Sequence, residues 1–199
     1  MRALDFSKPV SFSIVKAMLE NKEFTQLALS QQKHVSLGQV NKIVKYLLEK
    51  GFIEKGRACY AVTNPLGLME EIARHRDMKK RLLGRFSLPA GEEDLLNMLK
   101  EQAVFCLDTA LKQYCSDVVT GRVCAYIKGE RHRLFEELSA MKGNNTHLFL
   151  YAEDLPVAAV DMNGMHYTDK VRTVIDLVCD NSAFAASKLF EELWGQRIL

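Results

Sequence analysis

The stretch from Ser36 to Thr63 constrains this chain more than any other. Leu37, Val40, Ile43, Val44, Leu47 and Leu48 recur at i, i+3, i+4, i+7 spacing, which predicts a helix with one apolar stripe. Ser36 supplies an N-cap, and Gly51 closes the helix just beyond Lys50. Phe52–Lys55 then reads as a short strand, Gly56-Arg57 as a tight turn with a basic tip, and Ala58–Thr63 as a second strand. Upstream, Phe12, Val15, Met18 and Leu19 predict a helix over Ser11–Asn21. Thr25 is placed to cap a short helix over Gln26–Gln31, and Lys33-His34-Val35 makes the turn into the helix that starts at Ser36.

Three helices followed by a β-hairpin is the order of a winged helix-turn-helix. A helix fits the major groove of B-DNA and meets base edges with its first residues. The outward face of the third helix is expected to carry Ser36, Gly38, Gln39, Asn41, Lys42, Lys45 and Tyr46. Gly38 keeps that face low, Gln39 and Asn41 offer amides suited to adenine edges, and Lys42 and Lys45 reach for phosphates together with Ser36 at the helix start. Arg57 at the wing tip is placed for the minor groove or the flanking backbone. The segment Val35–Ile53 resembles the MarR-like and ArsR-like winged-helix families, whose recognition helix opens on small or polar residues. Leu48, Gly51, Phe52 and Ile53 match the ending that leads into the wing in those families. The resemblance covers about a third of the chain and implies a transcriptional regulator that binds double-stranded DNA.

Charge is distributed in keeping with that expectation. Residues 1–85 hold 16 Lys/Arg and 8 Asp/Glu, a net of +8, whereas residues 86–199 hold 11 and 17, a net of −6. A basic first half is suited to a polyanion and an acidic second half is not. No apolar run approaches the roughly 18 residues of a membrane-spanning helix, so no membrane partner is expected. The N-terminus lacks the features of a secretory signal, and the expected location is the cytoplasm. Five cysteines without a CxxC read as reduced thiols, and the five histidines show no metal-binding spacing; neither a metal nor a cofactor is expected.

Pro65 suits the first turn of a helix, and Leu66, Leu68, Met69, Ile72, Met78, Leu82 and Leu83 predict that it continues to about Arg85. Arg74, Arg76, Lys79, Lys80, Arg81 and Arg85 make this connecting helix basic, fit for phosphate contacts, a dimer contact or plain solvation. Ser87–Gly91 is the best boundary. The expected organisation is therefore a DNA-binding domain over 1–64, a basic connecting helix over 65–86 and an α/β domain over 87–199, α+β in class.

Beyond the boundary, Glu92–Tyr114 reads as helical, Arg122–Ile127 as a strand, Glu130–Met141 as a helix, and Thr146–Tyr151 and Val157–Met162 as strands. Asn163-Gly164 signals a hairpin into Met165–Tyr167. Helices near Lys170–Cys179 and Ser182–Trp194 finish the chain, around a small mixed sheet. This order resembles the C-terminal domain of the AbiEi antitoxin family. The likeness rests on the strand after Thr120-Gly121-Arg122, the strands ending near Tyr151, and the tail Val171–Val178 before a last helix that ends in Leu193-Trp194. The family usually has Pro where this chain has Thr173. The resemblance implies autorepression and a neighbouring toxin-like protein partner.

The second half carries no signature of an enzyme. Gly121 is followed by Arg122 rather than Ser, Asp154 and Asp161 lie on different elements, and neither GxxxxGK[ST] nor GxSxG occurs. Glu153-Asp154 reads as a pair of turn residues, Asp176 as an orienting acceptor, and Lys128, Arg131, His132 and Arg133 as a solvated basic cluster with some fitness for an anion. The expected function is a sequence-specific, non-catalytic DNA-binding repressor of AbiEi-antitoxin type, with double-stranded DNA, a homodimer mate and a toxin-like protein as partners. The alternative is a winged-helix assembly module without specific DNA binding.

Overall fold

Residues 4–118, 120–128, 132–155 and 157–198 are described by a computed structural model. Helix α1 (Pro9–Asn21) starts two residues earlier than the periodicity suggests, because Pro9 takes the first helical position, where its missing N–H costs nothing. Strand β1 (Glu23–Phe24) follows, then α2 (Gln26–Lys33) and α3 (Leu37–Glu49). Thr25 caps α2 through its hydroxyl, which accepts from Ala28 N at 3.1 Å. Gly51, at φ +70°, ends α3. Its N–H donates to Leu48 O and that of Phe52 to Leu47 O, so two carbonyls that a helix end leaves unpaired are satisfied.

Strands β2 (Ile53–Lys55) and β3 (Tyr60–Val62) form a hairpin, and β1 pairs with the far side of β3, in the order β1-β3-β2. Residues 56–59 make the turn, closed by Gly56 N–H donating to Cys59 O at 2.8 Å, so the second strand begins two residues later than expected. Phe24 and Tyr60 stack with ring centres 5.7 Å apart, which fastens β1 to β3.

The long basic connecting helix is not formed. Helix α4 (Pro65–Ala73) ends at Arg74, a 3-10 turn spans Met78–Arg81, and Leu82–Leu88 is strand β4. Asp77 caps the 3-10 turn by accepting from Lys79 N–H. The expected helix over Glu92–Tyr114 is likewise split into α5 (Glu92–Leu99), strand β5 (Ala103–Phe105) and α6 (Leu107–Tyr114). The remaining elements are β6 (Arg122–Ile127), α7 (His132–Ala140), β7 (Thr146–Ala152), β8 (Ala159–Met162), β9 (Met165–Thr168), α8 (Lys170–Cys179) and α9 (Ser187–Trp194).

The second sheet is mixed and larger than expected, with six strands in the order β4-β7-β6-β5-β9-β8. β6 runs parallel to β7 and β5 parallel to β9; the other neighbours are antiparallel. The protein is thus α+β. Alternation along the strands divides the sheet between two apolar clusters. Phe105, Val123, Ala125, Ile127, Leu148 and Leu150 pack with Leu95 and Leu99 of α5 and Leu134 and Leu138 of α7. Val104, Cys124, Tyr126 and Tyr151 face the other way, into a core shared with α8, α9, α4 and the helices of residues 9–49. Trp194 Nε1–H donates to Leu19 O at 3.2 Å across that junction, and Lys16 meets Asp169 at 2.9 Å. Among the described residues, no helix is long and apolar enough to cross a membrane.

Candidate nucleic-acid interface

Helix α3 is organised by two complementary stripes. Val40, Ile43, Val44 and Leu47 are buried, while Gly38, Asn41, Lys42 and Lys45 lie exposed at the same i, i+3, i+4, i+7 spacing on the other side. Ser36 and Gln39 are also exposed, as is Arg57 in the β2–β3 turn. No Asp or Glu occurs between Glu23 and Glu49, so α2, the turn and most of α3 carry only basic charge, on Lys33, Lys42 and Lys45. A groove of about 440 Å³ between the start of α1 and α3 adds Lys8 beside Lys42 and Gln39.

Two sequence expectations for this helix need correction. Tyr46 does not face outward. It is 5% exposed, its hydroxyl donates to Glu71 of α4, and its ring packs against Phe6 at 5.9 Å. Burial, followed by the bond to Glu71, pushes its pKa up to about 12, so the phenol keeps its proton at neutral pH. Leu37 does not belong to the core: as the first residue of α3 it is 48% exposed.

Gln39 has a second occupation. Its Oε1 accepts from Ser36 N–H at 3.0 Å and from Ser36 Oγ at 3.1 Å, while Ser36 Oγ accepts from Gln39 N–H at 3.2 Å. This reciprocal capping box fixes the start of α3. Bidentate pairing with adenine uses both the carbonyl and the NH2 of an amide, so Gln39 must give up the box to read a base that way. Asn41 carries no such internal bond among the described residues and sits mid-stripe. A Cβ built on Gly38 meets only Ser36 Oγ, at 4.0 Å, so nothing inside the protein demands glycine there.

A second polar constellation lies in the junction below α1 and α8. Arg76 and Arg172 are 1% and 0% exposed, and Asp176 is 0% exposed. Asp176 Oδ1 accepts from Arg76 Nη1 at 2.7 Å and Arg172 Nε at 2.8 Å, and its Oδ2 accepts from the Tyr126 hydroxyl at 2.8 Å. Asp154 accepts from Arg76 Nε at 2.9 Å and approaches Arg81 and Arg172. Burial raises the Asp154 pKa, but Arg76, then Arg172 and Arg81, more than offset this and hold it below its ordinary value. The Arg172 guanidinium also stacks over the rings of Phe12 and Tyr126, at 4.9 and 5.4 Å.

The cluster revises several expectations. Arg76 is buried and unavailable to phosphate, because the chain leaves α4 at Arg74 and turns it inward. Asp154, two residues past the end of β7, is an acceptor whose carboxylate is buried rather than a surface turn residue. Asp176 is the orienting acceptor anticipated from sequence. Both carboxylates are occupied by guanidinium groups, which leaves neither poised as a general base. Lys128 lies 3.9 Å from Glu153, and His132 and Arg133 face Glu136 and Glu137 one helical turn on; Arg131 is outside the described residues. Burial raises the pKa of the Cys106, Cys124 and Cys179 thiols, the last to about 11, so these side chains act as apolar core groups.

The buried ionic cluster as a whole had no sequence signal, since its members come from four separate stretches of chain, around Arg76, Tyr126 and Asp154 and on α8. Compared with models of protein families, with curated proteins and with solved structures, the chain finds no match.

Proposed function

We propose that residues 9–62 are a winged helix-turn-helix that binds double-stranded DNA, and that the protein is a sequence-specific transcriptional repressor. The observation that carries this reading is the exposed stripe Gly38, Asn41, Lys42 and Lys45 on a capped helix, in a segment free of acidic residues and beside a hairpin tipped by Arg57. The element order α1-β1-α2-α3-β2-β3, with β1 added to the hairpin, is that expected of such a module. In this reading α3 lies in the major groove and Asn41 reads a base. Lys42, Lys45 and Arg57 grip phosphates, and the amides at the start of α3 add a further anion contact. The C-terminal half then serves as the partner-binding part of an AbiEi-type antitoxin, with a toxin-like protein as partner.

A second reading is favoured by a specific observation: Leu27 and Leu37, 59% and 48% exposed, are large apolar side chains on α2 and α3. A docking surface for another protein uses such residues.

Binding of the purified protein to its own upstream DNA and to random duplex, across a salt series, decides between them. The DNA reading expects preference for the upstream duplex that survives about 150 mM salt. Weak, equal binding lost with salt supports the assembly reading instead.

A further inference from the structure

Phe184 is 78% exposed, in the short 3-10 turn Ala183–Ala186 between α8 and α9. Immediately beside it a groove of about 560 Å³ opens between the end of α4 and the end of α8, lined by Glu70, Ala73, Arg74, Val178, Asn181 and Ala183. Ala73, Val178 and Ala183 give it an apolar part, and Glu70, Arg74 and Asn181 a polar part with one acid and one base. Glu70 is exposed, and the Arg74 side chain is 69% exposed with, among the described residues, a single internal ion pair, 3.2 Å to Glu71.

We propose that this face is the interface between two copies of the chain. A knob and a hole side by side on one surface are what a two-fold contact requires, because each copy then inserts its knob into the other's hole. Phe184 is the knob, an aromatic anchor of the kind that dominates such interfaces, and the groove has room for its ring. The rim charges obey the same symmetry. Glu70 lies on α4 and Arg74 caps its end one turn on, so a two-fold axis passing between the helices sets Glu70 of each copy against Arg74 of the other. The opposite side of α4 is already used: Leu68, Met69, Glu71 and Ile72 are buried in the protein's own core. None of the groove residues belongs to the exposed stripe of α3, so pairing through this face leaves both stripes free. Under the DNA reading, that arrangement presents two recognition helices to two half-sites.

Sedimentation velocity of the full chain without DNA, over a micromolar concentration series, tests the proposal independently of any nucleic-acid binding. The wild type is expected to show a concentration-dependent monomer–dimer equilibrium. Phe184→Asp should weaken it at least about a hundredfold, about tenfold for each of the two symmetric contacts. Because Phe184 is so exposed, the variant should melt at the wild-type temperature, which separates lost pairing from lost folding. Glu70→Arg should also weaken the dimer, by setting two arginines against one another, and Glu70→Arg/Arg74→Glu should restore it. A wild type that stays monomeric throughout, or a dimer indifferent to Phe184→Asp, overturns the proposal; a double variant no better than Glu70→Arg overturns the pairing across the rim.

Discussion

Asp176→Asn is the most informative perturbation of the junction. In the native protein one carboxylate neutralises two guanidinium groups at 2.7 and 2.8 Å and accepts the Tyr126 hydroxyl at 2.8 Å, all in a region closed to water. Asparagine keeps the shape but removes the charge, which leaves Arg76 and Arg172 with Asp154 as their only acid among the described residues. Asp154 itself is shared with Arg81. Removing one partner of a buried ion pair costs about 3–5 kcal/mol, because the surviving charge stays desolvated. A domain of this size is stabilised by about 5–15 kcal/mol in all, so the loss is a large part of the total. At about 2–4 °C per kcal/mol for a chain of this length, the melting temperature should fall by roughly 6–20 °C. Urea unfolding followed by the fluorescence of Trp194, the only tryptophan, reads the change where it matters, since that indole bridges α9 to α1. A cycle with Arg172→Met should return a coupling above about 1 kcal/mol. A loss below about 1 kcal/mol for Asp176→Asn would refute the argument, since it would mean that water or other groups solvate the guanidiniums.

Gly38→Ala should stabilise the protein by about 0.5–1 kcal/mol, since glycine is a poor helix former and the space is open, yet should weaken DNA binding if the duplex approaches that face; unchanged binding in a stabilised variant would show that close approach is not needed. Lys42→Ala, Lys45→Ala and Arg57→Ala should each weaken binding alike on all sequences and reduce the log–log salt slope by about 0.9, read from titrations at several salt concentrations; an unchanged slope removes that residue from the phosphate contacts. Asn41→Ala should relax preference at one base pair, whereas Gln39→Ala should in addition destabilise α3 by about 1 kcal/mol through loss of the capping box; if Gln39→Ala leaves the urea midpoint untouched, the box carries no stability. Because Asp154 has a native pKa below its ordinary value of 3.8, its contribution is full above that value and is lost as pH falls through the lowered native one, so wild-type stability should drop in that acid range and that of Asp154→Asn should drop less; parallel pH profiles would count against the assignment.

Local chemistry carries much of the architecture. Ser36, Thr25 and Gly51 mark helix ends because their side chain or lack of one solves a hydrogen-bonding problem within a few residues, so their effect is legible in the linear chain. The same holds for the Asn163-Gly164 hairpin, where both residues adopt positive φ. The exposed stripe Gly38, Asn41, Lys42 and Lys45 is likewise a property of one helix and its period. Where two periods compete over a few residues, the chain alone is ambiguous. Ala103–Phe105 is too short to show alternation, and the apolar spacing through Met78–Leu83 suits a helix until neighbouring strands offer β4 and β5 their hydrogen bonds.

Sequence by itself determined the apolar stripe Val40, Ile43, Val44 and Leu47 on α3, the capping of α2 and α3 by Thr25 and Ser36, the glycine stop at Gly51, and the absence of acidic residues between Glu23 and Glu49. Tertiary structure alone decided what meets those faces. It turned Tyr46 inward onto Glu71 and Phe6, and left Leu37 outside. It also drew Arg76, Asp154, Tyr126, Arg172 and Asp176 into one closed network across a hundred residues of chain. A buried charge is stable only beside its counter-charge; Arg172 and Asp176 are one helical turn apart, but Arg76, Tyr126 and Asp154 reach them only by packing between distant segments, which no spacing along the chain encodes.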